Sequence, residues 1–233
     1  MFAVMFAATT AVKFAASANA GGYPARMSAS AAIDRFARTA SILGHPLLVL
    51  PTALAMPVAL QNGNARTLQA ITLQSMLLGF ALFAALMFGW SWLQVRRKRW
   101  THVDASQPSE RRSLNRALLI AIAFGALLAW RGLPTPDLGL AMALSAGIVA
   151  AAILSASSCK LSLHVAFAVY AAGLLWSLGP VAVGAGCVFA GVIGWSRLRL
   201  SRHQPRDLIA GAVAGLLAAL AYWQALHALR ALP

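Results

Sequence analysis

The stretch from Ser196 to Gly215, S-R-L-R-L-S-R-H-Q-P-R-D-L-I-A-G-A-V-A-G, carries the residues best suited to chemistry. Ser196-Arg197 is followed after five residues by His203, and after three more by Asp207. Pro205 suits the first turn of a helix, where its missing N–H costs nothing. A helix starting there presents free backbone N–H groups and the positive end of its dipole, which favours an anion. Asp207 falls in that first turn, four residues after His203, and can bond one imidazole nitrogen. A carboxylate so placed fixes the tautomer and leaves the other nitrogen free as nucleophile or base. Arg197, at the end of the preceding apolar segment, offers a fork suited to phosphate oxygens. The pattern reads as phosphoryl transfer at a membrane surface.

A second segment can complete the reaction. Lys160-Leu161-Ser162-Leu163-His164 opens another apolar run. His203 would attack phosphorus in line, and His164 would protonate the departing oxygen and then deprotonate a water. Arg197, Lys160, Arg111 and Arg112 would neutralise the equatorial oxygens, with Ser162, Ser196 and helix-start N–H groups as neutral donors. No metal is expected: five Asp and Glu in the whole chain are few for a two-metal site, and no metal motif is present. No cofactor is expected either.

The elements that must position these groups follow from composition. The 233 residues are 60% apolar and 10% charged, with a mean hydropathy of +0.73. That is the composition of a polytopic, all-α transmembrane bundle embedded in lipid bilayer. Seven apolar runs predict six to seven spanning helices: about 41–60, 68–95, 116–130, 138–156, 157–178, 181–195 and 207–226. The first contains His45-Pro46, Pro51 and Pro57 and should be broken or kinked. His45, an ionisable residue within an apolar run, is a candidate for a functional pathway, against the favoured reading of a neutral imidazole near the interface satisfied by a neighbour. Polar turns are expected at 61–64 and 132–136. Gly211 and Gly215 form G-x-x-x-G at the head of the last helix, permitting close backbone approach.

The formal charge of +14 does not argue for nucleic acid, because the basic residues lie in short stretches between apolar runs. With seven spans, the 101–115 loop, Ser162-x-His164 and the 196–207 loop share one side. Only Arg66, Arg131 and Arg230 of the 19 Lys and Arg fall opposite. The positive-inside rule makes the shared side cytoplasmic. The expected location is a bacterial inner (plasma) membrane. Residues 1–38 read as an N-terminal extension, within which 1–26 is apolar and Ala-rich but lacks the positive start of a signal peptide. Residues 39–230 form the transmembrane domain. Cys159 and Cys187 have no metal-ligand spacing and suggest no disulfide framework. His102 reads as a solvated loop residue.

Ser196-Arg197, His203 and Asp207, followed by Gly211 and Gly215, resemble the third signature of the type 2 phosphatidic acid phosphatase family. This superfamily includes vanadium haloperoxidases and bacterial acid phosphatases. Ser162 and His164 match its second signature, P-S-G-H, with Leu163 in place of Gly. The first signature, K-x6-R-P, is not kept: Asp104 stands at the Lys, Arg111 at the Arg and Arg112 at the Pro. The resemblance covers about residues 40–227. It implies a transmembrane helical fold, His203 as the phosphorylated nucleophile and His164 as the acid. The expected function is hydrolysis of an amphiphilic lipid phosphate or diphosphate, such as a polyprenyl phosphate or diphosphate, phosphatidic acid or phosphatidylglycerol phosphate. A non-catalytic binder of lipid headgroups is the alternative. A proton-coupled transporter fits less well, since the spans are almost purely apolar.

Overall fold

The structure, a computed structural model, describes residues 29–60, 66–101, 107–132 and 137–231. The N-terminal stretch 1–26, the turns at 61–64 and 133–136, His102 and Asp104 lie outside the described residues. The chain divides after Arg35, and the unit from Phe36 onward is the larger of the two. All the regular structure among the described residues is helical.

In chain order the helices are α1 (Ala29–Leu43), α2 (Pro46–Leu60), α3 (Arg66–Arg96) and α4 (Pro108–Gly132), then α5 (Asp137–Leu154), α6 (Leu163–Leu174), α7 (Pro180–Arg199) and α8 (Pro205–Arg230). Proline opens α2, α4, α7 and α8, where its fixed φ favours the first turn and no N–H is lost from the ladder. Gly179, with φ +96°, supplies the left-handed turn before Pro180.

Five helical segments are long and apolar enough to cross a membrane: Thr72–Arg96, Pro108–Gly132, Asp137–Ser157, Pro180–Arg199 and Pro205–Arg230. The pair α1–α2, bent by 59°, makes a sixth if it counts as one broken span. Among the described residues there are therefore five to six candidate spans, against the six to seven expected. The difference lies at 157–178. There Ser155–Ser157 form a 3₁₀ turn, the chain runs without helix to Ser162, and only 12 residues of α6 are α-helical. With the 3₁₀ turn Leu175–Leu178 that continues it, the apolar helix Leu163–Leu178 is about 26 Å long, short of a hydrocarbon core of about 30 Å.

α6 is apolar because it is enclosed by protein. One face, with Ala166, Phe167 and Tyr170, packs with Ala141 and Val149 of α5 and Ala219 and Tyr222 of α8. The other, with Val165, Ala168 and Ala171, packs with Val49 and Ala53 of α2 and Ala190 and Ile193 of α7. Gly211 and Gly215 let α8 lie directly on the α6 backbone. A Cβ on Gly211 would come 2.6 Å from the Ser162 carbonyl oxygen, and one on Gly215 would collide with that of Ala166. Polar groups in this core are paired: Tyr170 Oη donates to the Ala141 carbonyl at 3.1 Å and Trp223 Nε1 to that of Gly173 at 2.9 Å. Outward-facing side chains such as Leu86, Ile120 and Val181 are exposed apolar groups. Long apolar helices with apolar outer faces are those of an integral membrane protein.

Candidate functional site

α7 ends at Arg199, with Ser201 in the left-handed region (φ 52°) and the Arg202 N–H bonded to the Arg197 carbonyl at 3.0 Å. Three residues later Gln204 begins α8. Its N–H donates to Asp207 Oδ2 at 3.1 Å, so the carboxylate closes the helix start on itself. The short hairpin holds His203 between a helix C-terminus and a helix N-terminus.

The start of α6 is tied to the same turn. The Ser162 N–H donates to the Asp207 carbonyl at 3.0 Å, and the glycine contact at Gly211 fixes the spacing. Cys159 Sγ lies 3.8 Å from Asp207 Oδ1 and 3.9 Å from the Arg206 carbonyl. The expected segments at 160–164 and 196–207 therefore meet at one end of the bundle. His164 lies within electrostatic reach of Arg197, His203, Arg202 and His45, and His203 within reach of Arg197 and Lys160.

Asp207 sits beside His203 as expected, with Nδ1 to Oδ2 at 3.5 Å, but not as a full hydrogen bond. The carboxylate is turned towards the Gln204 N–H, and that capping role sets its angle. Proximity to Nδ1 still marks Nε2 as the nitrogen directed away from the carboxylate. Burial holds the His203 pKa below the ordinary value of 6.5, as does the Arg197 charge, with Asp207 opposing them.

The residues expected to bind phosphate divide into three groups. Arg197 is buried at 8% exposure, yet its Nη1 donates to Ser41 Oγ at 2.8 Å while its Nε has no partner. Ser162 is fully buried and its Oγ is unpartnered, because this N-cap residue makes no side-chain capping bond. His203 Nδ1 is likewise buried without a hydrogen bond. Lys160 is exposed nearby. Ser196 differs from expectation: its hydroxyl, fully buried, donates to the Ile193 carbonyl at 2.7 Å along its own helix. It packs rather than presenting a donor. Arg111 and Arg112 stand apart at the start of α4, where Arg112 lines a groove with Leu86, Trp90, Arg116 and Phe124. No hydrogen bond or ion pair joins either to the histidines among the described residues.

Two further residues enter the site: Ser41, which no sequence feature singles out, and His45, an ionisable residue in an apolar run. Ser41 and His45, at the corner between α1 and α2, touch Arg197 and His164 respectively. The available signal was the His45-Pro46 pair at the start of an apolar run, an ionisable residue where few are tolerated. Among the described residues, no group of three or more His, Cys, Asp or Glu side chains is placed to hold a metal ion. Comparison with family models, curated proteins and solved structures finds no match for this chain.

Proposed function

We propose that this protein is an integral-membrane, metal-independent phosphatase that hydrolyses a lipid-linked phosphate or diphosphate through a phosphohistidine. The observation that carries the reading is a set of buried, unpartnered polar atoms from three helix ends: Ser162 Oγ, Arg197 Nε and His203 Nδ1. Buried groups of this kind normally find partners, and leaving one unmade costs about 1–3 kcal/mol. Two histidines, two arginines and Lys160 around them select an anion with several oxygens.

The chemistry follows from the geometry. His203 Nε2 attacks phosphorus as the bond to the leaving oxygen breaks, and His164 gives that oxygen its proton. Burial, and after it the Arg197 charge, hold the His164 pKa down to about 2, so the step requires the bound phosphate's negative charge to raise it. Neutral His164 next takes a proton from water, whose oxygen attacks phosphorus and releases orthophosphate and free His203. Arg197 meets the charge that develops on the equatorial oxygens. The likeness of these residues to the second and third phosphatidic acid phosphatase signatures supports the same roles. A site at the end of apolar helices favours amphiphilic substrates, and the clustering of Lys and Arg supports a cytoplasmic orientation.

The test is phosphate release in detergent micelles with EDTA present. The wild type and His203→Ala are compared on polyprenyl diphosphate, phosphatidic acid and phosphatidylglycerol phosphate. Release that resists EDTA and vanishes in the variant is expected. No release from any of them by folded protein overturns the reading and favours headgroup binding, for which the separation of Arg111 and Arg112 from the histidines is the supporting observation.

A further inference from the structure

We propose that the α1–α2 corner is part of the reaction site, with Ser41 positioning Arg197 and His45 positioning His164. The inference rests on the phosphatase reading and extends it to two residues outside the signature segments.

The corner is fixed by its sequence. Pro46 disfavours helix at His45, and the helix direction changes there by 59°. The corner then lies along the last turns of α7. Phe36 meets Trp195 with ring centroids 5.8 Å apart, and Gly44 is pressed on Ile193 so closely that a Cβ would lie 2.5 Å from its Cγ1. Ile193 is one helical turn before Arg197, on the same side of α7. The contacts that seat the corner therefore also seat the arginine.

Two polar contacts convert this packing into alignment. Ser41 Oγ accepts from Arg197 Nη1 at 2.8 Å, which holds one arm of the guanidinium and leaves Nε without a protein partner. The planar fork has few orientations left once one arm is held. His45 Nδ1 accepts the Leu47 N–H at 3.2 Å, which assigns the ring proton of neutral His45 to Nε2. The ring so oriented stands edge-on to His164, with centroids 5.3 Å apart and planes at 87°. It limits the swing of the imidazole that must reach the leaving oxygen.

A purely structural role is distinguishable. The Leu47 bond makes His45 a cap of α2, and asparagine is also a good cap residue. His45→Asn therefore keeps the cap and removes the ring. The full chain in micelles is measured for thermal midpoint, for orthovanadate binding by calorimetry, and for kcat and KM on the best substrate of the panel. His45→Asn should keep its midpoint and bind vanadate within about twofold, with kcat down about 10- to 100-fold, the scale of loss for a misplaced reacting group. Ser41→Ala should weaken vanadate binding about tenfold, the loss of one well-placed charged hydrogen bond, and Ser41→Thr should restore it. An active wild type whose His45→Asn form keeps full kcat, or whose Ser41→Ala form binds vanadate unchanged, overturns this inference alone. A wild type that neither binds vanadate nor releases phosphate overturns the phosphatase reading and this inference with it.

Discussion

Two helix starts in this protein are built from the same four-residue pattern and put to different uses. Gln107-Pro108-Ser109-Glu110 opens α4, and Gln204-Pro205-Arg206-Asp207 opens α8. In each, proline takes the first position and the glutamine N–H donates to the carboxylate three residues on, at 3.0 Å in one and 3.1 Å in the other. Each follows a helix that ends through a left-handed residue, Lys98 or Ser201, with a backbone bond five residues back, Arg99 to Gln94 or Arg202 to Arg197. The contrast is in what meets the second carboxylate oxygen. Glu110 Oε1 accepts from the Thr101 N–H and Oγ1, and its carboxylate is consumed by the fold. Asp207 Oδ1 has the Cys159 thiol and the largely exposed Arg206 Nε, each at 3.8 Å, the Lys160 backbone N–H also acts on the carboxylate, and His203 stands by its Oδ2. The capping device builds a rigid helix start in both places. On the proposed reading, the site arises where a histidine stands beside the capping carboxylate.

The largest expected effect breaks the pair apart by activity. His203→Ala should reduce phosphate release on the order of 10⁴-fold or more, as removal of a nucleophile does. Glu110→Gln should leave release per folded molecule unchanged. Equal losses in the two variants, measured at matched folded fraction, would remove the functional distinction.

Stability should reverse the order. Glu110→Ala leaves the Thr101 and Gln107 donors without their acceptor and should cost about 2 kcal/mol. The His203→Ala loop variant should unfold near the wild-type midpoint. Thermal unfolding in micelles reads both, and a His203→Ala midpoint below that of Glu110→Ala would contradict the assignment.

Gly211→Ala sharpens the comparison, because only the α8 start is locked to another helix by its own glycines. The new methyl would meet the Ser162 carbonyl, with an overpacking cost of about 1–2 kcal/mol and a displacement of Ser162 that lowers phosphate release as well. Gly191→Ala, which meets open space, should change neither. A Gly211→Ala protein as stable and active as Gly191→Ala would mean that α6 and α8 do not need this contact.

What could be read in the chain depended on how local the determinant was. The proline starts, the glycine face of α8 and the placement of Asp207 in its first turn are set by residues within a few positions of one another. Ser162, His164, Arg197 and His203 were legible as a group because each sits at the border of an apolar run, and borders gather at membrane surfaces. Ser41 was not, since 156 residues separate it from Arg197 and no spacing rule links them, while His45 was legible as an ionisable residue in an apolar run but not as the neighbour of His164. The count of spans failed at α6 because a helix buried in protein and one facing lipid have the same composition, and periodicity does not separate them. Arg111 and Arg112 share a sequence border with the other basic groups but belong to the α4 start, which Glu110 ties to Thr101.

The finest test of the contrast is the pH dependence of the reaction. Burial and Arg197 hold the His203 pKa below 6.5, while the Asp207 charge raises it. The nucleophile must be neutral, so the loss of kcat/KM caused by its protonation should set in only below pH 6.5, on top of the gain that protonation of the acid His164 brings as pH falls. In Asp207→Asn the opposing negative charge is gone, the imidazolium is less favoured, and the acid limb should move to still lower pH. The same shift enters stability with a fixed sign. Folded His203 binds fewer protons than unfolded histidine, so its contribution is present above 6.5 and declines as pH falls below it, towards the folded value. Glu110→Gln should leave the acid limb where it is, since that carboxylate closes the α4 start through Thr101 and Gln107 and is not among the charges acting on His203. An acid limb that moves upward in Asp207→Asn, or that moves equally in both variants, would show that the Asp207 charge does not act on His203.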